Sequence, residues 1–285
     1  MRNYRALIAS LLVLCVAAGC ELLEEIGLRL GEELEVVRLG TIRSARLIEP
    51  SGLAASRKHP GVYWTHNDSD SPPQLFAIDS LGTILKAVHV RGALNRDWED
   101  LTTDPDGNLY IADTGDNEHR RDRVVVYRLP EPDPFAPDSE ATVLDSIQVR
   151  YPNGAHYDCE AIFWKGGRLY FLIKTASFRD STLCFSVDAR SPGTRVEDLR
   201  FEGARPDLNL VTAAEYNNWP RRRLAVLGYT QLVILGPEVE PFAAARKQLQ
   251  AGIALGQCEG ICWSGGNLIV INEAGEIYRV SGLGL

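Results

Sequence analysis

The stretch NRDWEDLTTDPDGNLYIADTGDN, residues 95–117, decides the fold. It places Asp97, Glu99 and Asp100 directly before Leu101, although acids are poor strand residues. Pro105-Asp106-Gly107 then marks a turn, and Leu109-Tyr110-Ile111-Ala112 reads as a second strand. The pattern has counterparts. Asp158-Cys159-Glu160-Ala161-Ile162 precedes Gly166-Gly167 and Leu169-Tyr170-Phe171-Leu172, and Gln257-Cys258-Glu259-Gly260-Ile261 precedes Gly265-Gly266 and Leu268-Ile269-Val270-Ile271. Two looser copies are Pro50-Ser51-Gly52-Leu53 before Val62-Tyr63-Trp64, and Val211-Thr212-Ala213-Ala214 before Leu224-Ala225-Val226. Anchored on Ser51, Glu99, Glu160, Thr212 and Glu259, the repeat recurs every 45 to 60 residues or so, roughly the length of a propeller blade.

Each unit continues with a third strand candidate, at Gln74, Val124, Ser181, Gln231 and Glu276. A fourth begins at Ile84, Asp145, Glu197 and, less regularly, Lys247. Short strands at even spacing, separated by Gly, Pro and Asp, predict an all-β, five-bladed β-propeller over residues 34–285. The last unit stops after three strands, and Leu34-Glu35-Val36-Val37-Arg38-Leu39 belongs to no other blade. That N-terminal segment is expected to supply the missing outer strand, which removes a sheet edge. The proline-rich run from Pro130 to Ala141 is expected to be an exposed loop inside blade two.

Residues 1–19 are set apart by Arg2 and Arg5, an apolar run from Ala6 to Ala18, and Gly19 before Cys20. Such a run is a secretory signal, too short to span a bilayer. Small residues before a cysteine resemble the lipobox of bacterial lipoproteins. The resemblance implies cleavage before Cys20, lipidation of its thiol and a tether over residues 20–33. The partner is then a membrane, reached through the anchor, and the place is the bacterial cell envelope. Glu21 after the cysteine points to the outer membrane. The net charge of −8 disfavours nucleic acid, which rewards a basic face. Cys159, Cys184, Cys258 and Cys262 allow three disulfide pairings or none, and an exported chain permits any of them.

The first strand of each blade lines a propeller's axis, so the five anchors are expected to form one inward ring. Glu49, Asp97, Asp158, Leu210 and Gln257 lie two residues earlier, and Leu53, Leu101, Ile162, Ala214 and Ile261 two residues later. Period-two alternation predicts an acidic mouth, a carboxylate and hydroxyl ring, and an aliphatic plug below it. Three carboxylates ~5 Å apart repel by roughly 3 kcal/mol per pair at an effective dielectric of 20, about as much in total as a domain's whole stability. Either their pKa values rise until some are protonated, or the acids bond to backbone N–H groups of neighbouring blades, or a cation sits among them. All-oxygen donors favour Ca²⁺, with Mg²⁺ second because it demands a tighter octahedron.

The order Ser51, Glu99, Glu160, hydroxyl, Glu259 resembles the calcium-activated nucleotidase (apyrase) family. That resemblance implies a five-bladed propeller with an axial calcium ion held by two serines and three glutamates, here with Thr212 in place of the second serine. The chain also looks like uncharacterised bacterial propeller lipoproteins that share phrases such as HNDS, DWEDL and GDN, a closer kinship that assigns no reaction.

Second strands end where first strands begin, so His66, Asn67, Asp68, Asp113, Asp116, Asn117, Lys174, Tyr229 and Glu273 are expected to rim the same opening as Asp97 and Asp158, a ligand site. His119, Arg120, Arg121 and Arg123 lie in a neighbouring loop where a phosphate could dock or where they simply form a solvated turn. Three functions compete: an ion-stiffened module binding an envelope ligand or protein, an apyrase-like calcium-dependent phosphohydrolase, and a glycan hydrolase using paired acids. The first is favoured, because no catalytic set outside the ring can be placed.

Overall fold

A computed structural model describes residues 34–175, 177, 179–190, 195–218 and 222–283. The signal and tether assigned to residues 1–33, including Cys20, lie outside the described residues. The described chain is all-β and forms five sheets, one per repeat. β1 (Glu35–Thr41) precedes blade one, which is β2 (Pro50–Ala55), β3 (Val62–Asn67), β4 (Gln74–Asp79) and β5 (Ile84–Arg91). Blade two holds β6 (Trp98–Thr103), β7 (Asn108–Asp113) and β8 (Val124–Pro130); after β9 (Glu140–Thr142) it ends with β10 (Asp145–Arg150). Blade three holds β11 (Cys159–Lys165), β12 (Arg168–Ile173) and β13 (Thr182–Asp188), and after β14 (Val196–Asp198) it ends with β15 (Arg200–Arg205). Blade four is β16 (Val211–Asn217), β17 (Arg223–Gly228), β18 (Gln231–Leu235) and β19 (Lys247–Gly252). β20 (Cys258–Ser264), β21 (Asn267–Asn272) and β22 (Glu276–Ser281) form blade five, whose fourth strand is β1, paired antiparallel to β22 from Glu35–Ser281 to Thr41–Glu276. The expected N-terminal closure is therefore the one observed.

Five apolar layers hold the ring together, one in each gap between blades. Trp64, Leu75 and Val90 of blade one meet Trp98, Leu101 and Leu109 of blade two. Val126, Ile147 and Val149 meet Ile162, Phe171 and Phe185 across the next gap. The remaining gaps are filled in the same way, the last by Tyr63, Phe76 and Ile78 against Ile269, Ile271 and Ile277. β-branched and aromatic residues suit such surfaces, because each sheet is buried on both faces near the hub. The inner hairpins turn on the predicted glycines: Gly166 and Gly167 both have positive φ, as a two-residue hairpin loop requires.

The run after Pro130 is exposed over most of residues 133–140, as expected, but its two ends are engaged. Its start is buried: Glu131 accepts the Trp64 indole N–H at 3.1 Å and the Arg57 amide at 3.0 Å. Its end becomes β9, which runs parallel to β5 and adds a fifth strand to blade one. β14 does the same for blade two, pairing in parallel with β10. Chain from one blade thus straps the outer edge of the blade before it, covering edges that would otherwise be open for pairing.

Candidate metal centre at the mouth of the propeller

Every inner strand carries a β-bulge at or beside its anchor residue. Trp98 pairs with Asp113 and Asp100 with Ala112, so Glu99 is the extra residue. Glu160, Thr212 and Glu259 occupy the same place in β11, β16 and β20, and in β2 the register shifts between Ser51 and Ala54. A bulge leaves its extra residue outside the ladder and re-aims its side chain. It also changes the spacing of residues that share a face from two to three. Trp98 and Leu101 thus pack in one layer, as do Cys159 and Ile162 in the next.

This corrects the expected aliphatic plug. Leu53, Leu101, Ile162, Ala214 and Ile261 sit in the layers between blades rather than in the channel. The hub position belongs instead to Asp100. Its Oδ2 accepts the amides of Ile162 at 3.0 Å and Ala214 at 3.3 Å, while Oδ1 accepts its own neighbour, Leu101, at 2.8 Å. One carboxylate of blade two therefore ties together the inner strands of blades three and four. Burial holds it well above the usual carboxylate range, against the pull of those three amides. Gly52 leaves room for it, since a Cβ there would lie 2.9 Å from Asp100 Cα.

The mouth is built by an equivalent backbone bond in each blade. Asp68, Thr114, Lys174, Tyr229 and Glu273 donate their amides to the carbonyls of Glu49, Asp97, Asp158, Leu210 and Gln257 at 2.9–3.3 Å. Within that frame two acidic triads form. Asp68, Asp97 and Glu99 each bring an oxygen within 4.8 Å of the others, and Glu99, Asp158 and Glu160 do likewise. Glu99 is only 5% exposed, yet among the described residues its carboxylate has no hydrogen bond and no ion pair. Gly115 is the cradle: a Cβ there would fall 2.0 Å from Glu99 Oε1 and 2.5 Å from Asp97 Oδ2.

Charge sets the behaviour of this cluster. Burial, then Glu160, Asp68, Asp97 and Asp158, push the Glu99 carboxyl well up. Asp97 is raised to about 6 by burial and by Asp68 and Asp158. Lys174 Nζ pairs with Glu160 Oε1 at 2.7 Å and lies 5.0 Å from the Tyr229 ring centroid. Burial alone would lower that ammonium, but Glu160 and Tyr229 outweigh it and hold the lysine charged. Glu160 nevertheless stays raised, because its burial, with the Asp158 charge adding to it, exceeds the help of a single ammonium.

The sequence-derived residues divide into two groups. Asp68, Asp97, Glu99, Asp158, Glu160, Lys174 and Tyr229 converge at the mouth. Glu259 is buried beside them but outside both triads, its carboxyl pushed up to about 7 by burial against Gln257 and Lys174. Ser51 and Thr212 direct their hydroxyls to carbonyls of the following blade, Glu99 O and Cys258 O, each at 2.7 Å. Glu273 is exposed and accepts from the Gln257 side chain.

The others build the walls. His66 is fully buried, edge-on to Trp98 at 5.4 Å, and its Nδ1 meets Asn67 O at 2.9 Å. Burial lowers it to about 4, so it is neutral and stands behind the mouth. Asn67 accepts from Ile48 and Glu49 and donates to Arg46 O. Asp113 holds Arg121 at 2.9 Å and the Asp97 amide at 3.1 Å. Asp116 caps the amides of Arg120 and Arg121 and gives its own to Asp158 at 2.8 Å, while Asn117 is exposed. Arg121, read as part of a basic loop, is buried, with its guanidinium on Gly115 O and Asp113. Sequence reasoning missed the roles of Asp100 and Gly115. The repeated acid after Trp98 and the glycine between two acids were the available signals.

The four cysteines are free and buried, and burial raises every thiol. No described helix is long and apolar enough to cross a membrane. No family model matches the sequence, and no curated protein matches it. Among solved structures, the chain is similar to the major allergen Mala s 1 of Malassezia sympodialis, at 8% identity and a TM-score of 0.53, over 89% of this chain and 97% of that one. It is also similar to a catalytically inactive virginiamycin B lyase from Staphylococcus aureus (12%, 0.45, 87% and 99%) and to a putative gluconolactonase (11%, 0.46, 87% and 92%). The likeness is one of fold.

Proposed function

We propose that the protein is a lipid-anchored propeller of the bacterial cell envelope whose acidic mouth holds a hard divalent cation, calcium before magnesium. The cation serves to bind an acidic or hydroxyl-rich envelope ligand, or a protein displaying one. The carrying observation is Glu99, a carboxylate only 5% exposed and without a hydrogen bond or ion pair among the described residues, facing four other acids. A buried charge without a partner is costly, so a cation is its natural counterpart. The donors are oxygen alone, which favours calcium's flexible shell of six to eight ligands. The residues fit such an ion: Gly115 keeps the space around Glu99 and Asp97 clear of side chains. Coordination positions that the protein leaves open are where a ligand's oxygens would enter.

Lys174 favours a second reading, the apyrase-like phosphohydrolase, because an ammonium beside the acids could neutralise a phosphate. Against it, His66 is buried behind the mouth and Arg121 is engaged by Asp113, so neither of these two is placed to serve as general base or phosphate clamp. Binding therefore remains the favoured function. Calcium should raise the melting temperature of the purified chain, and Cys20→Ser should release it from membranes. Unchanged melting at millimolar calcium would refute the ion. Release of phosphate from nucleoside diphosphates, lost on chelation, would replace binding by hydrolysis.

A further inference from the structure

We infer that the mouth holds two cations, with Glu99 bridging them. This rests on the cation reading above and goes beyond it. Two oxygens on one calcium ion lie at most ~5 Å apart, because each bond is ~2.4 Å long. Asp68, Asp97 and Glu99 meet that limit together, and so do Glu99, Asp158 and Glu160, but the five acids do not merge into one such group. Glu99 is the shared member. A carboxylate has two oxygens, and one bridging carboxylate suits ions about 3.5–4 Å apart.

The neighbouring acids leave oxygens for both ions. Asp97 uses neither of its carboxylate oxygens in a hydrogen bond among the described residues. Asp158 uses one on the Asp116 amide, Asp68 one on the Ser69 amide, and Glu160 one on Lys174. Charge points the same way. Five carboxylates against the single ammonium of Lys174 leave four negative charges; one divalent ion removes half of them and two remove all. Glu99 itself supplies the independent sign of a ligand, being 5% exposed, without a hydrogen bond or ion pair among the described residues, and at the point where the triads join.

Titration of the full chain tests this, with calcium followed by calorimetry and Mn²⁺ followed by electron paramagnetic resonance. The expected stoichiometry is two ions per chain, with exchange coupling between bound Mn²⁺ ions. Asp68→Asn and Asp158→Asn should each bind one ion, within about tenfold of native affinity, and lose the coupling. Asn at 158 keeps an oxygen for the Asp116 amide, so the fold should tolerate it. Glu99→Gln should bind neither ion at concentrations that saturate the native chain. One ion per chain, or two retained in Glu99→Gln, would overturn the bridged pair while leaving a cation site. No ion at all would overturn both readings.

Discussion

Glu99→Gln should stabilise the metal-free protein and remove its response to calcium. Glu99 lies within 4.8 Å of acids in both triads. At an effective dielectric of 20, each ionised neighbour at that distance opposes its charge by about 3 kcal/mol. Glutamine keeps the volume and loses the charge, and no hydrogen bond among the described residues is broken, because there the carboxylate has no partner. In chelator at pH 8 the variant should therefore gain about 3 kcal/mol. At roughly 2–4 °C per kcal/mol for a chain approaching this size, its melting point should rise ~6–12 °C. Calcium at ~100 times its Kd adds about 2.7 kcal/mol to the native protein, a rise of similar size that the variant forgoes. Scanning fluorimetry with and without calcium reads both effects. A variant less stable than native in chelator, or equally responsive to calcium, would refute an unpartnered, ion-seeking carboxylate.

Other expectations follow from single contacts. Glu215 is buried with its carboxyl raised from 4.5 to about 7, and Oε2 accepts the Trp263 amide at 2.8 Å. Its raised folded value means that the stability it contributes is whole below about 4.5 and is lost as pH rises through about 7. The swing is ~3 kcal/mol, and Glu215→Gln should remove that share of the fall in native stability over the window, leaving the part due to Asp97 and Glu259; an unchanged pH profile by denaturant titration would count against it. Lys174→Met removes the competitor for Glu160 and should raise calcium affinity at least ~tenfold while lowering metal-free stability. Weaker binding by calorimetry would show that Lys174 assists the ion. Asp100→Asn turns an amide group toward backbone N–H groups, costing ~1–3 kcal/mol with the m-value unchanged. Calcium should still bind, since Asp100 lies below the triads.

The blade count and closure were legible because acid-anchored strands and Gly-Gly hairpins recur, as at Glu160 with Gly166 and Gly167. The mouth was half legible. Strand direction alone brought Asp68, Asp97 and Lys174 to the opening. Alternation failed at the anchors, where the bulge at Glu99 puts Leu101 on the face of Trp98 and brings Asp100 to the hub. Nothing local announces that extra residue. Whether an acid is free or engaged also depends on remote partners, as with Asp113 held by Arg121 while Glu99 has none. The β9 and β14 straps were hidden because three-residue parallel pairings leave no periodic trace.

The closing strand has a directional consequence. Glu35 pairs with Ser281, the end of β22 remote from the acids, while Thr41 pairs with Glu276, close to the turn after Asn272. The described chain therefore begins on the side of the disc opposite the acids. The protein's entry point and its open rim thus lie on opposite faces, so anything attached ahead of the first strand leaves the rim unobstructed by the closing seam.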